Sequence, residues 1–201
     1  MVGSVHVQMN PSMFQMPRVV LITTMIAASW FLMQGVHESG HVLTGLTTGG
    51  KIACVVLHPL TISRTDFQEN PNPLLTCWGG PLLGVLLPLL IWAISATMNC
   101  RCSAWLRFFA GFCLIANGSY LTVGVKDGIG DAGDLIRHGS SAWMLFLFGA
   151  VTIPTGLWLW NGIGKEFGIG PQAAPVTWKA AGVSTLVLLT ALTIAILVGG
   201  S

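Results

Sequence analysis

His37-Glu38-Ser39-Gly40-His41 is the part of this sequence best equipped for chemistry, because an H-E-x-x-H on a helix places two imidazoles on one face, four residues apart. Two such side chains can serve one metal ion. Glu38 sits about 100° around the helix from His37, close enough to address a water on that ion without being a ligand, which is the position of a general base. Two neutral imidazoles, one further ligand and an open water position make a catalytic zinc site. The third ligand must come from elsewhere in the chain.

The acidic residues narrow the search for it. Lys126 to Ser141 holds Asp127, Asp131 and Asp134, every acidic residue of the second half except Glu166. Asp127 adjoins Lys126 and can simply pair with it. Gly128, Gly130 and Gly133 loosen the backbone, and Asp131 or Asp134 is expected to start a short helical run from Leu135 to His138. Asp131 and Asp134 are therefore the candidate third ligands, with His138 as a rival four residues after Asp134. A closed set of His37, His41, Asp134 and His138 would instead suit a non-catalytic metal-binding or scaffold protein, in which Glu38 would have no task.

The elements that must position these groups are membrane helices. The chain has 201 residues, 53% hydrophobic and 8% charged, against about 25% charged in an ordinary soluble domain. That composition is of an integral membrane protein, an all-α polytopic bundle forming one integral membrane domain over 1–201. Its net charge of +2 is scattered, which leaves no electrostatic footprint for nucleic acid. A histidine pair and a glutamate in an apolar helix are costly to bury unless paired or bound, so they are functional candidates by default.

Five spans are expected. The first runs from Val19 to about Leu46, about 42 Å long and longer than the ~30 Å hydrocarbon layer, so the histidines lie near one membrane surface. Pro17 suits its first turn, Arg18 the interface, and Gly45, Gly49 and Gly50 its end. It is read as a retained span, not a cleaved signal peptide, and Met9, Met13, Phe14 and Met16 ahead of it can rest on headgroups. Leu74 to Met98, interrupted by Gly79-Gly80-Pro81 and Pro88, is the second; Ala104 to Val125, carrying Asn117, the third; Ala142 to Trp160 the fourth; Val176 to Val198 the fifth. Gly80 and Gly84 could allow close approach to the first helix. With this layout the end of span one and the loop after span three face the same side, so a carboxylate reaches the histidines without crossing the bilayer.

Between spans one and two, Ile52, Val55, Leu57, Leu60 and Ile62 alternate along Lys51 to Phe67, expected as a short β-hairpin or re-entrant ribbon near the histidines. Its open edge could hold a peptide substrate in extended form; a plain surface loop is the other reading. Cys54, Cys77, Cys100, Cys102 and Cys113 are read as structural. Lys and Arg number five on the amino-terminal side and four on the other, which leaves orientation open.

The set resembles the site-2 protease family of intramembrane zinc metalloproteases in its small, divergent bacterial form. The carriers are the H-E-x-x-H ending a first core span, the β-prone segment from Gly49 to Ile62, Gly79-Gly80-Pro81 opening the next span, and Gly130-Asp131-Ala132-Gly133-Asp134 after the third, together spanning about 19–148. The resemblance implies one Zn2+ held by His37, His41 and an aspartate, Glu38 as the catalytic base, Asn117 in substrate binding, and hydrolysis of a peptide bond in or next to a membrane-embedded protein or peptide in the bacterial inner (cell) membrane. The family often continues Asn-x-x-Pro toward Asp-Gly; here Asn117 is followed by Gly118-Ser119-Tyr120.

Overall fold

A computed structural model of the chain describes residues 11–199, with side chains from Met16 onward. Among the described residues, five helices are long and apolar enough to cross a membrane, and a two-stranded antiparallel sheet follows the first. The expected all-α polytopic bundle with a hairpin is thus observed. Met9 lies outside the described residues, while Met16 is exposed at the start of the first span.

Helix α1 spans Pro11–Thr47. Pro17 lies inside it rather than in its first turn, since Pro11 opens the helix instead. The stop is also later than Gly45. Thr47 is the last helical residue, Gly49 takes φ +84°, and Gly50 N–H closes onto Gly45 O at 2.8 Å. Gly45 has another use: an added Cβ there would collide with the Phe67 ring, so the missing side chain is what lets the hairpin pack on α1.

Strands β1 (Lys51–Val56) and β2 (Arg64–Glu69) pair with Val55 opposite Thr65 and Ile52 opposite Phe67. Leu60 and Ile62, expected as strand, sit in the connection and are 86% and 83% exposed. Pro59 cannot donate to a ladder, and the return strand is built from the more polar Arg64-Thr65-Asp66-Phe67 instead.

Helix α2 (Pro73–Thr97) begins with Pro73 just after Asn72, whose side chain accepts from Leu75 N–H. It is not interrupted: Pro81 and Pro88 lie within a continuous helix, and the glycines beside Pro81 are packing surface. A Cβ on Gly40 of α1 would meet the Gly79 backbone, and one on Gly79 would lie 2.6 Å from Gly40 O, so α1 and α2 cross backbone against backbone. Gly80 faces the histidines of α1, whereas Gly84 faces Asn117, not α1.

Helix α3 (Ser103–Asp127) ends at Gly128, whose left-handed φ of +62° is the usual glycine stop. The short α4 (Gly130–Arg137) starts earlier than expected and caps with Ile129 rather than an aspartate, leaving Asp131 in its first turn. It is held by burial. Ala132 and Leu135 are fully buried with Leu121 of α3 and Leu145 of the next helix, and Trp78 Nε1 of α2 donates to Ser140 Oγ just beyond α4 at 2.9 Å. Helix α5 (Ala142–Trp160) coincides with the expected fourth span and packs on α3 through Gly111, Gly118, Gly149 and Gly156. A 3-10 turn (Ile163–Phe167) leads to α6 (Trp178–Gly199), which returns to α1, where Thr24 Oγ1 and Ser184 Oγ share a hydrogen bond of 2.7 Å. In order of packing the spans run α6, α1, α2, α3, α5. All five cysteines are free thiols; Cys113 is buried, and Cys100 and Cys102 are exposed in the α2–α3 turn.

Candidate metal centre

Helices α2, α3 and α4 and strand β2 meet at the carboxy-terminal third of α1. His37, Glu38 and His41 are 6%, 3% and 7% exposed, far too enclosed to be a solvated surface patch. His41 Nδ1 lies 2.8 Å from Thr76 O of α2, and His37 Nδ1 lies 2.7 Å from Asn117 Oδ1 of α3. Asp131, from the first turn of α4, brings Oδ2 to 2.7 Å from His37 Nε2 and 3.3 Å from His41 Nε2, and the two Nε2 atoms are 3.1 Å apart.

The hydrogen bonds around this cluster determine where its lone pairs point. A carbonyl oxygen only accepts, so His41 must donate from Nδ1 to Thr76 O. Asn117 Nδ2 donates to Cys113 O at 2.9 Å, which turns Oδ1 toward His37 and makes His37 Nδ1 the donor as well. A neutral imidazole with its proton on Nδ1 presents a bare lone pair at Nε2. Both Nε2 atoms then face each other and one carboxylate oxygen, three acceptors within 3.3 Å. Without positive charge among them this arrangement is repulsive. A divalent cation or added protons must supply it.

A tetrahedral zinc site, with bonds of 2.0–2.2 Å, separates its ligand atoms by roughly 3.3 Å. The spacings of 3.1 and 3.3 Å lie close to that separation, the 2.7 Å between His37 Nε2 and Asp131 Oδ2 must open by about 0.6 Å, and the two-imidazole, one-carboxylate donor set suits zinc. The outward hydrogen bonds of both imidazoles are the usual supports of metal-binding histidines. Burial raises the Asp131 carboxyl, but when the imidazoles of His37 and His41 are protonated at Nε2 as well, their hydrogen bonds and charge outweigh it and hold the group below the ordinary carboxylate range.

Glu38 is buried beside the cluster, and Thr65 Oγ1 of β2 donates to its Oε2 at 2.8 Å. The hairpin therefore touches the carboxylate directly. Space is limited on the α2 side: a Cβ at Gly80 would lie 2.8 Å from His37 Nε2 and closer still to His41 Nε2.

Of the residues singled out in the sequence, His37, His41 and Asp131 come together, Glu38 flanks them and Asn117 braces His37. Asp134 does not join them; it pairs with Arg137 on the exposed side of α4, and His138 turns its Nδ1 to Asp134 O at 2.8 Å. Thr65, Gly80 and Tyr120, none of them singled out for the site, also border it. The one sequence signal for Tyr120 is that the chain has a single tyrosine.

No curated protein and no solved structure matches the chain. A family model described as Peptidase M50B-like matches residues 12–122, more than half of the sequence, and takes in α1 with its H-E-x-x-H, the hairpin, α2 and Asn117. An H-E-x-x-H buried in a membrane-length helix, two converging lone pairs and a carboxylate are features in keeping with that match, and the chain belongs to the Peptidase M50B-like family.

Proposed function

We propose that the protein is an intramembrane zinc metalloprotease that hydrolyses a peptide bond in or next to a membrane-embedded protein or peptide substrate. The observation that carries this reading is the convergence of His37 Nε2, His41 Nε2 and Asp131 Oδ2 beside Glu38. His37, His41 and Asp131 would hold one Zn2+. When bound, the ion would acidify a water and polarise the scissile carbonyl.

The other roles belong to the protein's own side chains. Glu38 accepts the water's proton and returns it to the departing amine. Thr65 fixes one carboxylate oxygen of Glu38 by its hydroxyl, which orients the base. Asn117 and the Thr76 carbonyl keep both imidazoles in the tautomer that offers Nε2. His41 stands six residues from the end of α1, about 9 Å along the helix, so cleavage takes place near one membrane surface. Among the described residues each strand of the two-stranded sheet has an unpaired edge, and β2, already in contact with Glu38, offers an extended peptide a backbone to pair with.

The test is Glu38→Gln beside His37→Ala in detergent-purified protein, measuring bound zinc and cleavage of a membrane-anchored reporter. Glu38→Gln is expected to retain zinc and lose cleavage, and His37→Ala to lose both. Cleavage at the wild-type rate by Glu38→Gln would overturn the assignment.

A further inference from the structure

Tyr120 has no part in the scheme above, yet it touches two of its members. It lies on α3 one turn beyond Asn117, where its ring meets His37 edge-on with centroids 6.0 Å apart. Its phenol oxygen accepts the backbone N–H of Asp131 at 3.1 Å. Gly130, immediately before Asp131, has φ +57°, and an added Cβ there would run into the same phenol oxygen.

The hydrogen bond answers a specific need of α4. The first N–H groups of any helix lack intrahelical partners and are normally met by a side chain at the N-cap. Here the N-cap residue is Ile129, which provides no side-chain hydrogen bond. Asp131 itself turns its Oδ2 to the imidazoles. The phenol of a neighbouring helix takes over the task. It does so at a weak point of the chain, since Gly128 and Gly130 both adopt left-handed backbone and glycine holds its conformation at the highest entropic cost.

We propose that Tyr120 is a positioning residue, a latch from α3 onto the first turn of α4 that sets Asp131 opposite His37 and His41. This rests on the reading of those three residues as the metal ligands. The latch acts on metal affinity through the backbone N–H of Asp131, while the ring keeps its edge-on contact with His37. It also accounts for the two constraints on residue 130: left-handed backbone, and no side chain that would push the phenol away. Helix α3 continues through Tyr120 to Asp127 and the chain returns on α4; the tyrosine ties that return to the site.

The experiment is a zinc competition titration against a chromogenic chelator on the full-length protein in detergent, with thermal unfolding of the metal-free protein alongside. Tyr120→Phe keeps the ring and removes the acceptor, and is expected to weaken zinc binding about tenfold or more while leaving the metal-free unfolding temperature within about a degree of the wild type. Gly130→Ala supplies the second arm: its effect on zinc affinity is expected to be larger in the wild type than in the Tyr120→Phe background, because the clash with the phenol oxygen is then gone. Unchanged zinc affinity in Tyr120→Phe, or two additive effects, would overturn the latch and leave the metalloprotease reading standing. An equal loss of metal-free stability would overturn it in favour of general support of the fold. Wild-type protein with no zinc binding that His37→Ala abolishes would instead remove the metalloprotease reading, and the latch with it.

Discussion

Replacing Asn117 with leucine tests whether the outward hydrogen bonds of the imidazoles govern the site. Leucine is close to asparagine in size, and at 2% exposure the position admits no water to take over the lost contact. His37 Nδ1–H, which now donates to Asn117 Oδ1 at 2.7 Å, would be left with two choices. It can remain buried and unpaired, at about 1–3 kcal/mol. Or the proton can move to Nε2, where Asp131 Oδ2 waits at 2.7 Å; the metal-free site then satisfies itself, and an incoming ion must displace that proton. Either way the metal-bound state loses relative to the metal-free one. Removing such a support typically weakens metal binding 10- to 100-fold, equivalent to about 1.4–2.8 kcal/mol, in line with the cost of the unpaired donor. Zinc affinity measured by chelator competition at pH 7.5 is expected to fall within that range, with cleavage restored in part by excess zinc. An affinity within threefold of the wild type would refute the tautomer argument.

Other perturbations probe the surroundings of the cluster. Gly80→Ala is expected to abolish zinc retention after dialysis, since the new methyl meets both Nε2 atoms and α2 cannot retreat without separating Gly79 from Gly40; Gly35→Ala, on α1 with nothing within 4 Å, should retain zinc and raise the thermal midpoint slightly through helix propensity. Asp131→Asn is expected to lower zinc affinity by about 100-fold or more, whereas Asp134→Asn removes only an exposed pair with Arg137 and leaves zinc affinity unchanged.

The sequence revealed the large elements because burial and lipid impose regular patterns. Membrane helices must be long and apolar over their whole length, so five spans could be placed to within a few residues, and α5 coincided with its expected bounds. Misreadings arose where a residue's local preference yielded to packing. Pro81 and Pro88 looked like breaks, but in a crowded bundle they sit in a continuous helix. Leu60 and Ile62 looked like strand by alternation, yet the return strand is the more polar run around Thr65 and Phe67, whose hydroxyl and ring engage Glu38 and Gly45 of α1. Thr65 carries no pattern of its own, and only the tertiary pairing of hairpin and helix gives it a partner.

The choice between Asp131 and Asp134 shows most clearly where sequence reading stopped. The two are three residues apart on one short helix, and both precede apolar residues. Side chains advance about 100° per residue around the helix, so the buried Ala132 and Leu135 define an inward direction roughly 70° from Asp131 and roughly 130° from Asp134. The nearer carboxylate is carried toward the bundle and the imidazoles, and the farther one toward solvent and Arg137. That geometry was available in principle, since Ala132 and Leu135 are the apolar pair most able to seat α4. Its use required knowing that the helix begins at Gly130 and not nearer Leu135, and that start is supported by no local cap: it depends on a phenol oxygen from α3 and on two glycines in left-handed backbone. A short helix whose first turn is stabilised from across the bundle leaves little trace in its own residues, so the ligand it presents became identifiable only when the neighbouring helix was in place.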